Sequence, residues 1–449
     1  MTSSLFSFKR KGRKYTMVTL IKNGYFVDPS AKMEGYYDLL IRDQVVEKIG
    51  KHLTYDGARV VDASGKYIMP GLIDLHVHLR EPGFEYKETI KTGTMAAASG
   101  GFTTICPMPN TNPVIDSVEM LNDLNERIKK DAVVHVCPIG AVTKGQSGDE
   151  LADIQSMVDH GIVAISEDGK SVMKTDVYME GMNQAAKAGI PVFAHCEDRD
   201  LVRKGVMNAG SKAEELGMPG ITNAVEDVIV ARDILMAKEA NATLHLCHCS
   251  TKDSVSLVKM AKDMGLKVTA EVCPHHFTLC DEDITCDDAN YKMNPPLRSR
   301  EDVEALKQGL KDGIMEVIST DHAPHSKEEK EQSIKDAPFG IVGLETSLAL
   351  SYTELVKPGL LTLSQLIEKM STNPAKIIGL DKGSLQVGKV ADLVIVDFDN
   401  EYQINVNEFA SKGKNSPFHG RKVYGKVQLT MVSGNIVYQD KRFKLRVYR

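Results

Sequence analysis

His76 and His78 close the apolar run that starts at Leu72, and Arg80, Glu81, Pro82 and Gly83 follow them. The run has strand character. Side chains alternate along a strand, so both histidines project to one side. Two imidazoles at a strand's end can share a metal ion, and Arg80 lies on the same side if the strand continues. A metal pair beside a guanidinium suits an anionic substrate. The plain alternative is two buried histidines and an exposed arginine paired with Glu81, and a lone His-x-His would favour it. Later strand ends reverse those odds. Asp168 follows the run 162–165, His195 follows 192–194, His248 follows 243–247, and Asp321 follows 316–319. Four histidines and two aspartates exceed the four ligands of one tetrahedral zinc, so two metals sharing a bridge account better for the count. Imidazole with carboxylate, and no thiolate, makes zinc the default.

Other histidines carry less. His52, His135, His160, His245 and His419 sit off this rim and receive no role. His275 and His276 follow the seventh run and read as neighbours of the ligands, outside the ligand set. Cys247 and Cys249 flank His248 and read as buried thiols.

The elements that must position these residues follow from rhythm. Eight apolar runs, at 68–75, 103–107, 133–139, 162–165, 192–194, 243–247, 267–272 and 316–319, mostly alternate with helical patterns such as 88–99, 117–130, 176–188, 223–239 and 254–264. That alternation predicts an α/β fold, a (β/α)8 TIM barrel with functional residues at the C-terminal ends of its strands. Residues 17–68 read instead as short strands and turns, and the chain returns to β character from Gly383, with a hairpin over 427–437 split at Ser433-Gly434. The expected organisation is a discontinuous β-sandwich, 17–68 plus 380–449, beside a barrel at 69–379. Residues 1–16 are basic, with Lys9, Arg10, Lys11, Arg13 and Lys14, and read as a leader or disordered extension. The charged segment 326–334 reads as a solvated loop or helix, and 338–340 as the shaper of a lid.

Composition excludes some functions. Hydrophobic residues make up 42% of the 449 and charged residues 26%, a globular profile. A net charge of −6 argues against nucleic acid as the main partner. No apolar run approaches the ~20 residues of a membrane span. Eight cysteines, several within strand-like runs, suit free thiols in a reducing cytoplasm.

Four motifs then carry a resemblance. They are Asp74-Leu75-His76-Val77-His78-Leu79-Arg80-Glu81-Pro82-Gly83, Met108-Pro109-Asn110-Thr111-Asn112-Pro113, Met293-Asn294-Pro295-Pro296-Leu297-Arg298 and Thr320-Asp321-His322-Ala323-Pro324-His325. With them the chain from Met17 resembles the metal-dependent amidohydrolase superfamily, and within it the bacterial dihydroorotases of the long, first type. The resemblance implies reversible hydrolysis of (S)-dihydroorotate to N-carbamoyl-L-aspartate, a step of pyrimidine synthesis. It implies two zinc ions per chain. His76, His78 and Asp321 would hold one, His195 and His248 the other, with Asp168 and a hydroxide bridging them. Asp321 would also be the catalytic proton carrier. His78, Arg80, Asn110, Asn294, His325, Phe339 and Gly340 would bind substrate, with Arg80 on its carboxylate. A homodimer and an association with aspartate carbamoyltransferase are further implications. Hydantoinases and allantoinases bridge their metals with a carbamylated lysine on the fourth strand. Here that strand has none and Lys170 lies beyond it, which favours the dihydroorotase type. Two rival readings are another cyclic amidohydrolase, for whose substrate Arg80 would have no purpose, and a non-catalytic scaffold, which would not need all six ligands.

Overall fold

A computed structural model describes residues 17–443 and the strand Arg446–Val447. The expected leader over 1–16 lies outside the described residues. Eight parallel strand positions form the barrel, in chain order. They are Leu72–Val77, Phe102–Pro107, His135–Val136 continued by Ile139–Ala141, Ala164–Ser166, Val192–Ala194, Leu244–Leu246, Val268–Val272 and Val317–Ile318. A bridge between Val77 and His322 closes the ring, and the His78 N–H donates to the His322 carbonyl at 2.8 Å.

Two expected strands are divided, each for a local reason. The run 68–75 is two strands: Tyr67–Pro70 pairs in the terminal sheet, and Leu72–Val77 enters the barrel. Gly71 sits at the break, where a Cβ would lie 2.2 Å from Thr103 Oγ1, so only glycine lets the two strands approach. The third run is interrupted at Cys137-Pro138. Its first half pairs with the second strand and its second half with the fourth, because proline offers no N–H to the ladder.

The helices follow the expected pattern to within a residue or two. Ile90–Ser99, Val118–Asp131, Lys252–Asp263 and Arg300–Lys311 are each N-capped by a hydroxyl, from Thr89, Ser117, Thr251 and Ser299. Ala224–Ala240 follows the fifth strand. The barrel strands contribute Ile73, Leu75, Ile139, Ala164, Phe193 and Val317 to one buried apolar cluster. Among them lie three fully buried polar side chains, Asp74, His245 and Glu271. Interior charge of that kind requires partners.

Both ends of the chain meet in one sheet, with nine strands among the described residues. Val18–Asp28 pairs with Met33–Arg42 and Tyr67–Pro70, and the latter with Leu393–Asp397 from the far end. The expected hairpin is present as Lys426–Val432 and Asn435–Gln439. The segment 409–418 leaves the sheet for the barrel mouth. There the Asn415 amide donates to the carbonyls of Ala323 at 3.1 Å and Gly340 at 3.0 Å.

Candidate metal centre

The ends of five barrel strands bring the six expected ligands together. His76 Nε2 is 3.2 Å from Asp168 Oδ1 and 3.6 Å from Asp321 Oδ1. His78 Nε2 is 3.1 Å from Asp321 Oδ1 and 3.6 Å from Asp168 Oδ2. On the other side, His195 Nδ1 and His248 Nε2 are 2.8 Å apart, and lie 3.8 and 4.0 Å from Asp168 Oδ1. Asp168 therefore stands between two groups, one of His76, His78 and Asp321, the other of His195 and His248. All six side chains are buried.

The backbone is bent to present them. Arg80, His248 and Asp321 take positive φ values of 61°, 33° and 47°. Such conformations cost a non-glycine residue roughly 1–3 kcal/mol each and collect at functional sites.

Neighbouring carboxylates and amides set the tautomers. His76 Nδ1 donates to Glu271 Oε1 at 2.8 Å, which leaves Nε2 as the free lone pair. His78 Nδ1 donates to Asn110 Oδ1 at 3.0 Å, and Asn110 Nδ2 donates to Asp168 Oδ2 at 3.0 Å. Asn110 thus ties a ligand of one group to the shared carboxylate. Glu271 also accepts from His245 Nε2 at 3.0 Å and from the His248 backbone N–H at 3.1 Å.

The electrostatics favour a cation. Burial pushes Asp168 upward, but the nearby rings of His76, His78 and His195 outweigh it and hold the carboxyl well below its ordinary range. Burial raises Asp321 too. The close approach of His78 and the neighbouring His76 reverse that and keep it ionised. His248 is pushed down to about 3, by burial first and then by His195 and His76, so its ring is neutral with a lone pair to give.

The donors fit a metal. His76 Nε2 and Asp168 Oδ1 are fully buried and face one another, yet neither makes a hydrogen bond. Two potential donors in that state are costly unless something else satisfies them. The triads His76, His78, Asp321 and His76, Asp168, His248 each hold their ligand atoms within 4.8 Å of one another.

Beside the ligands stands Arg80. Its Nε donates to the Pro324 carbonyl at 3.2 Å, and its Nη2 lies 3.4 Å from His325 Nε2. Among the described residues it has no ion-pair partner. Glu81, the partner of the plain alternative, pairs with Arg127 at 3.1 Å instead. His325 Nδ1 accepts from the Lys87 ammonium at 3.2 Å, so Nε2 carries the proton and donates to the Phe339 carbonyl at 2.8 Å. Asn294 donates to Glu197, whose carboxylate lies 4.0 Å from His195 Nε2. Lys170 is exposed and donates to the Gln146 carbonyl at 3.0 Å, away from the ligands.

Sequence reasoning missed several of these groups. Glu271 and His245 were the polar members of apolar strands, a signal in themselves. Lys87, Glu197 and Asn415 carried no local signal. Lys330 corrects the reading of 326–334 as wholly solvated, because its ammonium is buried.

A parallel barrel that gathers imidazoles and carboxylates at its strand ends defines an amidohydrolase. A family model described as "Amidohydrolase family" matches residues 303–438, and one described as "Dihydro-orotase-like" matches residues 65–254. The chain is 48% identical over 424 residues to the dihydroorotase of Acetivibrio thermocellus, covering 94% of this chain and 99% of that protein. It is 49% identical over 420 residues to the dihydroorotase of Bacillus cytotoxicus, covering 94% and 98%. Among solved structures, the L-hydantoinase (dihydropyrimidinase) of Arthrobacter aurescens superposes with a TM-score of 0.85 at 29% identity, covering 95% of this chain and 97% of that one. The dihydropyrimidinase of Brevibacillus agri NCHU1002 gives 0.84 at 27%, covering 96% and 97%. The chain belongs to the dihydroorotase family.

Proposed function

We propose that the protein opens and closes the ring of (S)-dihydroorotate, interconverting it with N-carbamoyl-L-aspartate, with two zinc ions held by His76, His78, Asp168, His195, His248 and Asp321. Arg80 is the observation that carries the substrate assignment. It is a guanidinium beside the ligand cluster that donates to one carbonyl and lies against an imidazole, with no carboxylate partner among the described residues. A ring carboxylate would complete it with two parallel charge-assisted hydrogen bonds. Hydantoin-type substrates offer no such group.

When bound, the metal pair supplies a Lewis acid and acidified water at neutral pH. The chain does the rest. Arg80 fixes the substrate by its carboxylate, so the ring amide faces the ligand cluster. Asp321, ionised and 3.1 Å from His78, takes the proton of the attacking water and returns it to the departing ring nitrogen. In the synthetic direction the same carboxylate moves the proton the other way. Asn110 holds His78 and Asp168 at fixed separation while this occurs. His325, neutral because burial and then Arg80 and Lys87 push it down to about 2, supports the wall at Phe339 without adding charge.

The test is a spectroscopic assay of dihydroorotate opening, before and after chelation, on wild type and Arg80→Ala. Chelation should abolish turnover and zinc restore it. The variant should lose roughly 100-fold or more in kcat/KM, the worth of two charge-assisted bonds. Intact carbamoyl-aspartate turnover by Arg80→Ala would sink the substrate assignment.

A further inference from the structure

Two buried lysines stand behind the wall of the proposed pocket with no carboxylate to pair with. Lys330 Nζ donates to three carbonyls, those of Lys292 at 3.2 Å, Pro338 at 3.0 Å and Gly340 at 3.0 Å. Lys292 Nζ donates to the carbonyls of Lys335 and Ala337 and lies 4.5 Å from the centre of the Phe339 ring. Neither forms an ion pair among the described residues. An ammonium has three protons, and the three carbonyls around Lys330 use them all. Burial, and then the nearby Lys292, push Lys330 down to about 7 against the more distant charges of Asp288 and Glu329, and the three carbonyls are the groups its ammonium touches.

Two of the three carbonyls it gathers belong to the segment that faces the site. Pro338 and Gly340 flank Phe339, whose own carbonyl accepts from His325 at 2.8 Å. The Gly340 N–H donates to the Lys292 carbonyl at 3.0 Å, and the Gly340 carbonyl accepts from Asn415 as well. Gly340 has a φ of 130°, and a Cβ there would lie 2.7 Å from Ala323 Cβ and 3.1 Å from His325 Nε2. The segment therefore passes so close to the strand end carrying Asp321 and His325 that its course is set by what pulls on its carbonyls.

We propose that Lys330, assisted by Lys292, is a positioning residue that fastens the 337–340 segment and so shapes the wall against which the substrate ring lies. The proposal rests on the dihydroorotate reading for its kinetic test. Lys330 touches neither substrate nor metal ligand, so its loss acts on binding and leaves the chemical step in place.

The experiment compares wild type with Lys330→Met, Lys330→Gln and Lys292→Met as zinc-loaded enzymes. For Lys330→Met, KM for dihydroorotate should rise about tenfold while kcat stays within about twofold and metal content is unchanged. Lys330→Gln, whose amide can still reach two carbonyls, should fall between. Amide hydrogen exchange should quicken at 337–340 in Lys330→Met and stay as in wild type in the barrel strands. If Lys330→Met does not fold, the other two variants carry the same comparison. An unchanged KM, or kcat and metal content falling in step with KM, would overturn the proposal. Wild-type protein inert toward dihydroorotate would sink the substrate reading alone, and exchange at 337–340 would still decide the role of Lys330.

Discussion

Replacing Glu271 by glutamine removes one negative charge from behind the ligand cluster while leaving its geometry intact. Both His76 Nδ1 and the His248 N–H donate to the same oxygen, Oε1, at 2.8 and 3.1 Å. A glutamine can place its carbonyl there. Its amide would then face His245 Nε2, now 3.0 Å from Oε2. His245 can meet it by moving its proton to Nδ1, which lies 2.8 Å from the Thr269 hydroxyl. Every polar atom stays satisfied, so Glu271→Gln should unfold at nearly the wild-type denaturant midpoint. The charge is another matter. Burial raises Glu271, but hydrogen bonds from His245 and His76 and the charges of both rings hold it ionised in the native protein. That anion makes His76 a stronger donor to metal. Losing such an outer partner weakens metal binding about 10–100-fold, or roughly 1.4–2.8 kcal/mol. Competition of the protein against a chromophoric chelator measures the affinity directly. Affinity within about twofold of wild type, in a folded variant, would refute the reasoning and reduce Glu271 to a filler of the barrel interior. Glu271→Ala is the contrast. It strands two buried ring nitrogens and a backbone N–H, each costing about 1–3 kcal/mol, and should lower stability and metal affinity together.

Asp392 joins the terminal sheet to the barrel, 3.2 Å from His135 Nε2, with Lys382 also bonded to it. Burial raises its carboxyl, but His135 and then Lys382 outweigh that and bring it from 3.8 to about 2. A depressed carboxyl stabilises the fold above its unfolded value and loses that contribution as pH falls through the folded one. Asp392→Asn should therefore cost ~2 kcal/mol at neutral pH, with the gap closing toward pH 2, as read by denaturant unfolding across pH. Gly83 has a φ of 95°, and a Cβ there would lie 2.0 Å from the Asn112 carbonyl oxygen. Gly83→Ala must push apart the loop carrying Arg80 and the loop carrying Asn110, costing about 2 kcal/mol or more; thermal unfolding and kcat/KM should both fall. A variant as stable and active as wild type would show that those loops do not determine the site.

The ligands were legible because each ends a strand. An apolar run that stops at histidine or aspartate places that side chain on the barrel's rim whatever the loops do, and five such endings, carrying six candidate ligands, sufficed. Strand limits were less legible. Gly71 and Pro138 divide runs that read as continuous, because hydrophobic pattern records burial and not which neighbour a backbone pairs with. The groups behind the ligands were hidden for a different reason. Glu271 meets His76 across 195 positions of sequence, and Asn415 reaches Gly340 across 75. Lys330 lies in a run of alternating charges whose other members are mostly at the surface. Its burial depends on three carbonyls from two other segments.

Fold likeness alone would not have chosen among cyclic amidohydrolases. The solved structures named above are a hydantoinase and a dihydropyrimidinase, and they superpose at TM-scores of 0.84–0.85 on a chain that shares less than a third of their residues. What separates this chain from them must therefore lie in side chains that leave the barrel's path unchanged. Two positions have that character. Between the two histidine groups stands Asp168, where a carbamylated lysine would need a longer side chain, and the nearby lysine, Lys170, is turned outward to Gln146. Asp168 lies 3.2 to 4.0 Å from His76, His78, His195 and His248, the separations that the proposed carboxylate bridge needs. The second position is Arg80, whose guanidinium has no anion of the protein's own to meet. A cation left in that state beside the candidate metal site favours a substrate that brings its own carboxylate, which is why the proposed choice of ring rests on Arg80.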